Sequence, residues 1–341
     1  MEHETELRET IARIVAPGKG ILAADESTPT ITKRFTAVGI ESSEATRRAY
    51  RSLMFTTPGA EQFLGGVILF EETLGQADDA GTALPQLLAG RGILPGIKVD
   101  KGTTPLAGSP GDLVTQGLDG LAERLAAYRQ QGARFTKWRE VYPITECNPT
   151  PTGIAANAEV LARYAAICQS QGLVPIVEPE VLLDGDHSLE RCKDVSGHVL
   201  HAVFDALFRH RVATEYIVLK PSMVVPGKNH PRKAGPEEVA AATLDVLRKT
   251  VPASVPTINF LSGGQTPEEA TANLNAMNAG DRAAPWVLSF SFARALQDPV
   301  MHAWVGKTSN VGAAQDAFAH RLRMNSAARA GRWQPAMERG R

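Results

Sequence analysis

The stretch YIVLKPSMVV, residues 216–225, decides the fold. Ile217, Val218 and Leu219 make an apolar, β-branched run with the length of a buried parallel strand, and the run ends in Lys220, directly before Pro221. A lysine there leaves the core where a strand meets a loop, so it is either a surface exit or part of a site. Seven other runs share the design: GILAAD (20–25), GVILFEE (66–72), PGIKVD (95–100), FTKWREV (135–141), VPIVEPE (174–180), TINFLSG (257–263) and WVLSFSF (286–292).

Helix signals fill the gaps between these runs. Leu118, Leu121, Leu125 and Tyr128 follow 3-4-3 spacing, while Leu200, Val203, Phe204, Leu207 and Phe208 mark one face of another helix. Thr266, Pro267 and Glu269 spell a capping box at a helix start. Strands alternating with helices imply parallel pairing, and eight such units predict an α/β fold, a (β/α)8 TIM barrel in a single domain, with extra N- and C-terminal helical segments. The strand-end residues Lys98, Lys137, Glu178, Lys220 and Ser262 are 39, 41, 42 and 42 positions apart. A minimal barrel needs roughly 31 per unit, so the surplus lies in loops or added helices. The barrel with its N-terminal helix is expected over 1–312, and 313–341 is expected to be a C-terminal helix and tail, mobile or folded over the mouth.

Lysine and arginine total 36 against 37 acidic residues, a net charge of -1, which gives no general attraction to nucleic acid or an anionic membrane. Cys147, Cys168 and Cys192 are odd in number and form no C-x-x-C pair, against a disulfide framework or structural zinc site. The N-terminal MEHETELRET has no apolar core, and no run of about 18 apolar residues occurs, so a soluble cytoplasmic protein is expected. No G-x-G-x-x-G or Walker A motif follows the first strand, and a nucleotide-binding sheet has no support.

Residues two apart on a strand share a face. Lys98 thus pairs with Asp100, Lys137 with Arg139 and Glu178 with Glu180, while Lys220 follows Val218 and Asp25 follows Ala23. Singly, each of these reads as an ordinary surface exit. Charges at the same point of five strands would instead converge on the carboxyl-end mouth, where barrel enzymes place their chemistry. An amine becomes nucleophilic once it loses its proton, which a neighbouring cation or an apolar wall favours. Lys220 behind Leu219 and near Lys137, with a carboxylate to shuttle protons, makes the parts of a Schiff-base enzyme acting on a carbonyl compound.

Ser262, Gly263 and Gly264 lie between a strand and a capped helix, where backbone N–H groups can approach an anion. Arg294 follows the eighth strand, so these two loops resemble the phosphate site of barrels. On the opposite side DESTPTITKR supplies Ser27, Thr28, Thr30, Lys33 and Arg34. Two anion sites across one mouth suggest a substrate phosphorylated at both ends. No histidine stands at a strand end; His198 and His201 share a helix face, and Asp184–His187 reads as a turn, so no metal site is expected.

GILAADEST (20–28), GIKVDKG (96–102), TQGLDGL (115–121), KWR (137–139), PIVEPE (175–180), LKPSM (219–223), LSGGQ (261–265) and RALQ (294–297) together resemble, in order, the class I, Schiff-base fructose-bisphosphate aldolases of animals and plants. The resemblance runs from about residue 6 to about residue 312. It implies reversible cleavage of fructose 1,6-bisphosphate to dihydroxyacetone phosphate and glyceraldehyde 3-phosphate without metal or cofactor. It implies that Lys220 forms the imine with the ketose C2, that Glu178 is the acid/base for imine formation, that Lys137 polarises the carbonyl, and that Asp25 accepts the C4 hydroxyl proton. Glu180 and Arg139 would orient these groups. Ser262, Gly263, Gly264 and Arg294 would hold one phosphate and Ser27, Thr30, Arg34 and Lys98 the other, in a homo-oligomer that is tetrameric by the resemblance.

Three departures stand out: Pro29-Thr30 replaces the usual glycine-serine, Phe292-Ala293 replaces tyrosine-glycine, and the tail RWQPAMERGR carries Trp333 but no tyrosine. The expectation is that cleavage is retained and that proton exchange on the product carbanion depends on another group. Other readings are a barrel lysine holding pyridoxal phosphate and a non-catalytic sugar-phosphate-binding protein. Sedoheptulose 1,7-bisphosphate or fructose 1-phosphate could also be the preferred substrate of the same chemistry.

Overall fold

The computed structural model describes residues 2–280 and 284–339. Eight strands, β1 (Gly20–Ala24), β2 (Leu64–Leu69), β3 (Leu94–Lys98), β4 (Phe135–Tyr142), β5 (Val174–Val181), β6 (Val218–Leu219), β7 (Thr257–Phe260) and β8 (Val287–Phe292), close into a parallel barrel in chain order. All eight sequence runs hold one of these strands. Register places Lys98 beside Lys137 and Arg139 beside Glu178, so charged strand ends stand level around the mouth. β6 is shorter than the YIVLKP run: Thr214–Tyr216 is a 3-10 turn, and Lys220 continues the pairing only through its N–H to Val177 O, at 2.8 Å.

The strands are buried on both faces because two separate cores use them. The outer face packs on the surrounding helices. The inner face forms its own cluster from Ile21, Ala23, Ile68, Leu94, Phe135, Val174, Ile176 and Val218, closed at the N-terminal end by Leu7, Ile11 and Ile14 of the helix Glu4–Ile14. Phe135 fills this interior only because Gly66 and Gly96 lack side chains: a Cβ on either would lie 2.7 or 2.2 Å from its ring. Burial of that one ring contributes about 2–3 kcal/mol.

The capping box is formed as the sequence indicated, with Glu269 N donating to Thr266 Oγ1 and Thr266 N to Glu269 Oε2. The helix thereby starts directly after the Ser262–Gln265 turn and presents its N-terminus beside the mouth. At the C-terminus the helix Val311–Arg329 packs on the helices Arg294–Trp304 and Pro267–Asn278. Beyond it Glu338 accepts from Arg321 Nη1 at 2.6 Å and from the Trp333 indole at 3.0 Å, which ties down the described part of the tail.

Two details differ from the sequence reading. Phe208 is 82% exposed although Leu200, Val203, Phe204 and Leu207 are buried. At roughly 100° per residue it lies about 80° round the helix from Leu200, in the last turn, off the buried face. An antiparallel ribbon, Thr103–Pro105 against Leu113–Thr115, accounts for part of the surplus length after β3.

Candidate active site

Four strand ends project one charged residue each into the barrel. Asp25 follows β1, Lys137 lies on β4, Glu178 on β5, and Lys220 follows β6; none is more than 8% exposed. Lys137 Nζ is 2.9 Å from Asp25 Oδ2 and 3.1 Å from Glu178 Oε2, while Lys220 Nζ is 3.0 Å from Glu178 Oε1. One carboxylate is therefore shared between two ammonium groups, and two positive charges balance two negative ones. Such balance is what makes burial of charge tolerable, since removing any partner strands another.

The electrostatics fix the state of Lys137 and of Asp25. Burial alone would push Lys137 down, but Asp25 and Glu178 beside it outweigh this and hold it protonated. Burial alone would likewise raise Asp25, yet Lys137, Lys220 and Lys98 pull it down to about 2. Asp25 is thus an anion at every working pH, with its carboxylate free of a proton of its own. Lys137 keeps its proton, and Lys220 has the second oxygen of Glu178 within reach for its own.

Arg139 and Glu180 form an ion pair one step further along β4 and β5. Burial would lower the Arg139 guanidinium, but Glu180 outweighs it and drives it up. The pair borders the next loop, since a Cβ on Gly263 would lie 3.7 Å from Glu180 Oε1. Gly263 (φ +28) and Gly264 (φ +85) both take left-handed backbone, where a side chain is strained. A Cβ on Gly264 would lie 3.8 Å from Arg294 Nη2, so the seventh and eighth loops meet as the sequence suggested, with buried Ser262 beneath them.

On the other side Ser27 Oγ and Thr30 Oγ1 are 3.1 Å apart at the start of the helix Thr28–Ala37. Lys98 Nζ reaches Asp100 Oδ1 at 2.6 Å. Arg34 stands apart from these: it pairs with Glu26 and, at 2.8 Å, with Asp298, so both terminal nitrogens are engaged by carboxylates. His198 and His201 lie on the helix Leu189–Arg209, His198 against Asp194 of the same helix, and among the described residues no group of three or more His, Cys, Asp or Glu could hold a metal ion.

Sequence reasoning missed two supports of the site, Gln297 and Glu26, and one buried hydroxyl in the barrel wall, Ser291. Gln297 is fully buried and donates through Nε2 to Ala23 O at 2.5 Å and to Glu26 Oε1 at 2.7 Å, pinning the end of β1 from which Asp25 projects. Glu26 and Gln297 stand inside DEST and RALQ, but their motif membership says nothing of their mutual contact. Ser291 on β8 is buried with no hydrogen-bond partner for its hydroxyl. Its place in the alternation SFSF, opposite in phase to Phe290 and Phe292, was the available signal.

A family profile described as fructose-bisphosphate aldolase class-I matches residues 6–341. The chain belongs to the class I fructose-bisphosphate aldolase family. It is 51% identical to mouse fructose-bisphosphate aldolase C, over 99% of this chain and 94% of the relative. It is 52% identical to the cytoplasmic isozyme of spinach, over 98% of this chain and 93% of that one. Among solved structures, the Plasmodium falciparum aldolase in complex with TRAP and a small-molecule inhibitor superimposes with a TM-score of 0.96 at 47% identity, covering 98% of this chain and 96% of that one. This aldolase is a lyase, and its reaction is the reversible cleavage of fructose 1,6-bisphosphate to dihydroxyacetone phosphate and glyceraldehyde 3-phosphate.

Proposed function

We propose that Lys220 is the nucleophile of this cleavage and that Glu178, Asp25 and Lys137 divide the proton work. The observation that supports it is the single Glu178 carboxylate standing between the ammonium groups of Lys220 and Lys137, at 3.0 and 3.1 Å. Lys220 gives a proton to Glu178 and its nitrogen attacks C2 of the open-chain ketose, while charged Lys137 stabilises the developing alkoxide. Glu178 returns that proton to the alkoxide, then takes a proton from the carbinolamine nitrogen and hands it to the hydroxyl, which leaves as water, and the protonated imine forms. Asp25 takes the proton of the C4 hydroxyl; the C3–C4 bond breaks, its electron pair moves into the imine nitrogen, and the aldehyde product departs. Protonation at C3 and hydrolysis of the imine release dihydroxyacetone phosphate and restore Lys220.

The loop of Ser262, Gly263, Gly264 and Arg294 takes the phosphate on C1 in this reading. Ser27, Thr30 and Lys98 take the other, with Arg34 contributing only if the substrate phosphate draws it from Glu26 and Asp298. Glu180 holds Arg139 at the mouth as an orienting pair. A homo-oligomer, tetrameric by the resemblance, in the cytosol that its plant relatives occupy completes the proposal; light scattering reads the assembly. The substrate assignment is tested by kcat/KM for fructose 1,6-bisphosphate, sedoheptulose 1,7-bisphosphate and fructose 1-phosphate. The six-carbon bisphosphate is expected to lead, and an equal or higher value for either competitor overturns it.

A further inference from the structure

β4 carries one acidic residue that the mechanism does not use. Glu140 points away from the barrel interior, opposite in phase to Lys137 and Arg139, and is fully buried. Its two oxygens accept separately: Oε1 from the Trp138 indole at 2.8 Å and Oε2 from the backbone N–H of Thr115 at 3.0 Å. Among the described residues no lysine, arginine or histidine is paired with it within 4.0 Å. A buried carboxylate without a counter-cation is expensive, and it is retained here at the point where the ribbon meets the barrel.

The ribbon leads directly to Lys98. Thr115 also donates from its hydroxyl to Arg139 O at 2.7 Å, so this residue is held to β4 twice. The adjacent Gln116 accepts from Lys101 N at 2.8 Å and donates to Gly102 O at 2.9 Å. These two residues follow Asp100, whose Oδ1 accepts from Gly102 N and holds the Lys98 ammonium at 2.6 Å. From Glu140 to Lys98 every link is a hydrogen bond, an ion pair or neighbouring residues of the chain.

We propose that Glu140 is a positioning residue whose buried carboxylate latches the ribbon to β4 and so fixes the Lys98 ammonium at the mouth. The proposal rests on the reading of Lys98 as a group that binds the substrate phosphate remote from the imine. Two N–H donors converge on Glu140, and a carboxylate can accept from both, whereas an amide offers one oxygen and turns an NH2 against the other donor. Burial pushes the Glu140 carboxyl up to about 7, against the pull of its N–H donors and with Asp100 adding to the rise, so it is ionised and doubly accepting above that pH. The titratable groups that act on it are Asp100 after β3, which adds to its rise, and Tyr142 on the same face of β4.

The test compares wild type, Glu140→Gln and Lys98→Ala above the Glu140 pKa by amide hydrogen exchange and steady-state kinetics. Glu140→Gln is expected to speed exchange across 101–117 by roughly fivefold, the loss of one hydrogen bond. It is expected to raise KM for fructose 1,6-bisphosphate by a similar factor, with kcat within twofold and KM for fructose 1-phosphate, which lacks the second phosphate, unchanged. Lys98→Ala is expected to give the same substrate pattern with a larger KM change and no change in ribbon exchange. Unchanged exchange in Glu140→Gln overturns the latch. Faster exchange with equal losses on both substrates overturns the positioning role and leaves a stability effect in its place. If Lys98→Ala affects both substrates alike, the reading of Lys98 fails, and the link from Glu140 to the phosphate fails with it.

Discussion

At the N-terminal end of the barrel Phe135 lies across Gly66 and Gly96 above the helix Glu4–Ile14, whereas two residues further along the same strand Lys137 pairs with Asp25 and Glu178. Four other strands make the same step on the inward face: Ala23 to Asp25, Gly96 to Lys98, Ile176 to Glu178 and Val218 to Lys220. One pleat repeat turns a packed floor into a charged chamber. The floor excludes water beneath the charges, which strengthens every interaction among them, and its rigidity fixes the distances at which they act. Stability belongs to the lower layer and chemistry to the upper, a division that substitutions in each layer can break or sharpen.

The largest effect is expected from Glu178→Gln. It removes the proton shuttle and leaves Lys220 without its carboxylate partner, Lys137 keeping Asp25, so kcat should fall by about 10²–10⁴-fold in steady-state assays. Gly96→Ala tests the floor: the new methyl meets Phe135 and should destabilise the fold by about 1–3 kcal/mol in urea titration, while the folded fraction keeps its kcat. Loss of turnover without loss of stability in Gly96→Ala would dissolve the division between layers.

Asp25→Asn sharpens the comparison through pH. The folded Asp25 titrates near 2 against an ordinary value of 3.8, so its charge stabilises the fold above 3.8 and that contribution is lost as pH falls toward 2. It amounts to on the order of 2 kcal/mol. The stability gap between wild type and the asparagine variant, read by denaturant titration, should therefore narrow over that window; a gap independent of pH would show that the cations do not act on Asp25. The smallest effect, none, is expected from EDTA on turnover, because Lys220 supplies the electron sink itself.

Much of this was legible in the chain. The barrel followed from eight apolar runs because parallel strands buried on both faces need near-continuous apolar sequence. Asp25, Lys137, Glu178 and Lys220 could be nominated because strand alternation fixes which residues look inward. The sharing of Glu178 between two lysines could not be read, since side-chain reach across three strands depends on barrel tilt and register. Arg34 was nominated from DESTPTITKR as an anion ligand, but its engagement with Asp298 joins residues 264 positions apart. The ribbon was missed because TTP and LVT are too short to show a period, and with it the partner that explains Glu140.

The central claim is that Lys220 forms the covalent intermediate, and borohydride reduction in the presence of dihydroxyacetone phosphate, followed by peptide mass spectrometry, tests it most directly. The account predicts a stable three-carbon phosphate adduct on the peptide that carries Lys220, with the Lys137 peptide unmodified. An adduct on Lys137, or none on a folded protein, would contradict it.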